Sequence, residues 1–203
     1  MRVCIKILVF VLLAMLWQVS SGRGFADTLR VDFIKHDTDL WTCGQLIMFS
    51  SKGPVFWNEN GRVTSGMLGA NTNILCADNK FREFARHFYV TFDEQGLLLS
   101  GTPTAGIEIV VQQQTVASMP YTEVAFHPNG EVRYLIPSDN FRYETSDGFR
   151  FSVMAGRRAY FDVYGRLVSA TVARRRILQR PDGTERVFLP GDVIRIDKSG
   201  RVE

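Results

Sequence analysis

Glycines at 61, 96, 130, 165 and 200 stand 35, 34, 35 and 35 residues apart, and each sits in the same short pattern. Four residues before them come Trp57, Phe92, Phe126, Phe161 and Ile196, and two further back Val55, Val90, Val124, Ala159 and Ile194. Two residues after them come Val63, Leu98, Val132, Leu167 and Val202. Self-similarity at a fixed period means that one supersecondary unit is used repeatedly, each copy burying the next, so the period constrains the architecture before any motif is sought.

The unit reads as a β-hairpin. Apolar residues alternate with period two on both sides of the glycine, which puts them on one face of paired strands. The turns open on Asn58, Asp93, His127, Asp162 and Asp197 and close three residues later on glycine, the pattern of a type I turn followed by a left-handed bulge residue. The rest of each period predicts a second, looser hairpin, with Asp147-Gly148 and Asp182-Gly183 as turn signals. In residues 76–88, Phe81, Phe84, Ala85 and Phe88 recur at helical spacing behind Asp78, which predicts one or two helical turns there. The expected fold is all-β: about five units of roughly 35 residues, as an open or rolled meander of antiparallel hairpins. A small five-bladed, propeller-like ring is the alternative.

Residues 1–26 read as a secretory signal peptide: Arg2 and Lys6, an apolar run over 7–17, then small residues Gly24 and Ala26 before a cut. That run is shorter than the roughly 20 residues a spanning helix needs. The remainder, 27–203, is expected to be a single repeat domain with a degenerate first copy over 27–54, free of a membrane-spanning segment and periplasmic or secreted. The chain has 24 basic and 21 acidic residues, but Arg2, Lys6 and Arg23 lie in the leader, so 27–203 carries 21 of each. A neutral domain has no field suited to nucleic acid. Two cysteines remain, and in an exported chain they suggest a disulfide. Aligning Trp41 with Ile74 sets Cys43 opposite Cys76 in neighbouring units, and such a bond would contribute about 3–4 kcal/mol.

No spacing belongs to a nucleophile elbow, a zinc helix, a phosphate loop or a C-x-x-C pair, so no catalytic, metal or cofactor residue is assigned. His127 replaces a turn acid, and His87 lies in a basic aromatic segment where packing or exposure accounts for it. His36 is flanked by Asp37 and Asp39, a set open to cation binding but sufficient for a solvated turn. Arg174, Arg175 and Arg176 form the one non-repeating basic run, expected in a loop, either as an edge that discourages aggregation or as a docking patch.

The aromatic strand, D/N-x-x-G turn and second strand, in register over 55–203, resemble the bacterial MORN-like repeats of secreted and envelope proteins. The resemblance implies a β-sheet scaffold for contacts with proteins or lipids and carries no catalytic residue. The standard G-x-G-x-W-x-x-G spacing is absent and the period here is longer. The expected function is therefore a non-catalytic binding or structural scaffold in the cell envelope, with an envelope protein as its partner and a small hydrolase or carbohydrate-active protein as the rival reading. The rival requires carboxylates gathered with His36 in a pocket.

Overall fold

In the computed structural model, residues 30–180 and 182–203 are described, so the expected signal segment lies outside the described residues. Among them every regular element is a strand. β1 (Arg30–Asp32) leads into a hairpin of β2 (Thr38–Thr42) and β3 (Gln45–Phe49). Then β4 (Val55–Trp57) and β5 (Val63–Met67) flank Gly61, and β6 (Thr72–Leu75) and β7 (Phe81–Phe84) form the next hairpin. The alternation continues with β8 (Tyr89–Phe92) and β9 (Leu98–Gly101), then β10 (Glu108–Val111) and β11 (Gln114–Ala117). It repeats with β12 (Val124–Phe126) and β13 (Val132–Leu135), then β14 (Phe141–Glu144) and β15 (Arg150–Val153). The chain closes with β16 (Ala159–Phe161) and β17 (Leu167–Thr171), β18 (Arg176–Gln179) and β19 (Glu185–Phe188), and β20 (Val193–Arg195).

Each period thus supplies two hairpins with different fates. The glycine hairpins join edge to edge into one antiparallel sheet of ten strands, β1-β4-β5-β8-β9-β12-β13-β16-β17-β20. The others stay as five separate two-stranded ribbons laid on one face of it. Among the described residues the sheet ends at β1 on one side and β20 on the other, so the open meander holds and the ring does not. The reason is continuous pairing between units, as in β5 with β8 and β13 with β16, which leaves no separate blade.

The turns follow the residues. Gly61, Gly96, Gly130, Gly165 and Gly200 have φ of +70°, +88°, +87°, +73° and +82°, which only glycine adopts freely. Their amides close onto the carbonyls of Asn58, Asp93, His127, Asp162 and Asp197 at 2.9–3.0 Å. The Asn58, Asp93 and Asp162 side chains each accept two further backbone N–H bonds, as Asp93 does from Gln95 and Leu97. The pairing slips by one residue beside the first four glycines, the bulge that this turn requires.

The core lies between sheet and ribbons and is one continuous cluster running from Ile47 to Ile196. Its fit varies in a compensated way. A Cβ on Gly66 would stand 2.4 Å from the Phe49 ring, and one on Gly101 would stand 2.6 Å from Phe84. In the next two units the corresponding pairs are Ser118 with Leu135 and Val153 with Ala170, all buried. A large ribbon residue faces glycine, a small one faces leucine, and the volume per layer is conserved. Close-packed interiors require this.

Two expectations fail here. The predicted helical turns are a strand, β7, with Phe81 out, Phe84 in, and a turn at Arg86-His87 where His87 has φ +66°. The helical spacing arises from a strand alternation interrupted by a turn. The disulfide is absent: Cys43 and Cys76 are both free thiols. The ladders align Thr38 with Thr72, because each is paired to the equivalent Phe49 or Phe84, so Leu40 and not Trp41 corresponds to Ile74. One residue of register reverses the facing of a strand residue. Cys43 falls in the two-residue turn of β2–β3 and Cys76 at the buried end of β6, in ribbons that do not pair with each other.

Candidate binding site

The ribbons lie side by side without backbone pairing, so something else must join them. Between the third and fourth, two glutamine side chains do. Gln112 Nε2 donates to Glu144 O at 2.6 Å, and its Oε1 accepts from Glu144 N at 2.9 Å. Gln114 does the same to Arg142, donating to the carbonyl and accepting from the amide at 3.3 Å. Two amide groups, two residues apart, satisfy the outward edge of β14 much as two peptide units of a neighbouring strand would. Between the first and second ribbons, Gln45, at the position of Gln114, donates to Asn73 O at 2.7 Å. Between the fourth and fifth, that position is Phe149, whose ring lies 5.9 Å from Phe151 and 6.1 Å from Phe188.

The junction between the second and third ribbons differs. Lys80 occupies the glutamine position, its side chain exposed, and a groove of about 530 Å³ opens between β7 and β10. Its floor is apolar (Ile109, Phe126, Val132, Phe161), and Asp78, Lys80, Arg82, Glu108 and Glu131 rim it. A second opening of about 390 Å³, sharing Lys80, Arg82 and Glu108, extends it past Phe81 and Pro103. Arg82 is fixed by twin 2.6 Å bonds to Asp78, and its guanidinium stands 5.8 Å from the Phe126 ring centre. Burial pushes the Asp78 carboxyl up, but those bonds outweigh it and hold the group below the usual carboxylate range. The volume lies within the roughly 300–1,000 Å³ of small-ligand clefts.

Other candidate residues resolve into structure. Asp37 accepts from the N–H and hydroxyl of Ser51 at 2.8 and 2.9 Å, and the Ser51 backbone bond holds its carboxyl below the usual value. That leaves His36 exposed and Asp39 on β2 facing solvent, away from the groove, and no group of three metal-ligating side chains occurs among the described residues. His127 Nε2–H donates to Phe161 O at 3.0 Å, tying one glycine turn to the next, as Asn129 does to Val163 O at 2.8 Å. Cys43 Sγ–H donates to Gly96 O; burial, then the Asp93 carboxylate, pushes its pKa up to about 12. Arg174 and Arg175 lie in the bend before β18, as expected, and Arg176 is its first residue; all three are exposed.

Among the described residues, the sheet's other face has no ribbon layer. Along it run Phe56, Ser65, Thr91, Ser100, Ala125, Tyr134, Tyr160, Ser169 and Arg195, each paired across to the next. Arg158 lies 4.3 Å over the Tyr134 ring and 3.3 Å from Glu123, while Tyr134 and Tyr160 rings are 5.8 Å apart. Sequence reasoning missed both this cluster and the groove, because neither recurs with the period. No helix among the described residues is long and apolar enough to cross a membrane. No protein-family model matches the chain, and no curated protein matches it either.

Proposed function

We propose that this protein is an exported, non-catalytic scaffold of the MORN-like kind, which holds a partner in the cell envelope on its open repeat sheet. The carrying observation is the unbroken ten-stranded sheet, ribbon-covered on one face and, among the described residues, bare on the other. At about 4.8 Å per strand it offers a rigid platform of about 43 Å, the kind of extended surface that stacked repeats use for binding. The leader-like residues 1–26 support export. The exposed Arg174, Arg175 and Arg176 provide a cationic site at one end for an acidic partner.

The test is capture from an envelope extract of the same cell, followed by rebinding of the purified partner. A stoichiometric partner is expected, and with all three arginines changed to Ser its affinity should fall and lose salt dependence. Unchanged binding removes the arginine patch from the reading. No partner able to rebind removes the scaffold reading.

A further inference from the structure

Resting on that scaffold reading, we infer that the groove between β7 and β10 takes an extended polypeptide segment, added as a strand to the outward edge of β10. The argument is internal to the molecule. The outward-pointing backbone groups of β14 belong to Arg142 and Glu144, and Gln114 and Gln112 bind them through amides that mimic peptide groups. One period earlier the same positions in β10 are Glu108 and Val110. Among the described residues nothing bridges across to them, because Lys80 stands where both adjoining junctions have glutamine. A lysine ammonium donates but cannot accept, so it cannot satisfy both the N–H and the C=O of a strand edge. What fills the next junction is, chemically, two amides spaced as in a strand. The ligand class that restores the pattern here is therefore a peptide backbone.

The lining sets the side chains that fit. Ile109 and Val111 point inward while Glu108 and Val110 are exposed, so an added strand would share that alternation. Its inward residue would rest on Phe126, Val132 and Phe161, and its outward residues would lie beside Lys80, Glu108 and the exposed Phe81 ring. The segment is thus one with apolar residues at alternate positions and polar residues between them.

The probe is an acetylated, amidated eight-residue peptide alternating valine and threonine, with a lysine and a glutamate at its ends for solubility. Hydrogen exchange on the purified protein should show the Glu108 and Val110 amides slowed at least tenfold on adding it, with saturable binding by calorimetry. N-methylating alternate peptide amides should weaken binding at least tenfold, since the apolar contacts survive but the edge bonds do not. Lys80→Gln should weaken it similarly by installing the bridging amide, whereas Lys80→Ala should leave it within twofold. Val110→Pro removes one outward N–H without touching the ribbon's own pairing, and far-UV circular dichroism verifies that the fold is retained. The inference is overturned by no binding at millimolar peptide, by equal binding of the methylated probe, or by slowed Glu108 and Val110 exchange that tracks protein concentration without peptide. The last result means a second copy fills the groove. A protein that still rebinds its captured partner while failing these tests keeps the scaffold reading and loses this one.

Discussion

At the residue scale, the chain uses its polar side chains to finish backbone structure. Asp162 is representative: its carboxylate accepts from Tyr164 and Arg166 amides at 2.9 Å and from the Arg166 guanidinium at 2.8 Å. Asp162→Ala should lower stability by about 1–2 kcal/mol in urea unfolding at neutral pH, as for other hydrogen bonds to charged groups. The carboxyls of Asp37, Asp78, Asp162, Asp182 and Asp197 are all held below their ordinary values, chiefly by local hydrogen bonds that overcome any burial. The unfolded chain therefore binds protons more readily than the folded one. The associated stability is complete above about pH 4 and is lost as pH falls through the folded values. The urea midpoint should drop steadily below pH 4, and a flat profile would contradict the assignment. The thiol of Cys43 has the opposite sign. Raised to about 12, it favours the folded state fully below the unfolded thiol pKa near 8.5, and that contribution fades as pH rises from there toward 12. In the denatured, unreduced chain from residue 27 onward, which leaves out Cys4, two thiols should titrate, and in the folded protein at pH 8 both should react slowly. One rapidly reacting thiol at pH 8 would argue against the buried placement.

At the element scale, the ribbons fit the sheet by exchanging volume across the layer. Phe84→Val alone leaves a void, and Gly101→Ala alone drives a methyl into the Phe84 ring. Each should cost about 1–3 kcal/mol. Together they recreate the Val153–Ala170 pair of the fourth unit, so the double variant should recover about 1 kcal/mol or more relative to the sum. Additive losses in a double-mutant cycle would show that the layer does not pack as one. This level also marks how far the sequence could be read. The glycine hairpins were legible because turn chemistry and period-two alternation repeat at fixed spacing. The ribbons were only half legible, since their turns differ in length. Cys43-Gly44 closes β2–β3 in two residues, whereas residues 76–80 separate β6 from β7. The cysteine alignment was drawn one residue off the ladder register, which sets Leu40 against Ile74, so Cys43 is not the counterpart of Cys76. The groove was illegible because Gln45, Lys80, Gln114 and Phe149 share a position but not a side chain, and bridging a side chain to another ribbon's backbone leaves no periodic trace.

At the scale of the whole molecule, stability should be distributed as in a one-dimensional array, each unit leaning on its neighbours. Amides in β9 and β12, paired on both sides, should exchange slowest, and those of β1 and β20, paired on one side, fastest. Uniform protection across all ten strands would instead indicate a single all-or-none unit. The ribbons also reach forward: the Cys43 thiol of the first meets Gly96, and Ser146 of the fourth donates to Ser199 O at 2.8 Å, each 53 residues further along. Synthesis runs from the N-terminus, so a ribbon tip is made well before its acceptor exists. When Cys43 leaves the ribosome, Gly96 has yet to follow, and the tip stays unfastened until another period and a half has emerged. Each of these two tips therefore waits for the following period and a half, and the ribbons are fastened in the order in which their acceptors appear.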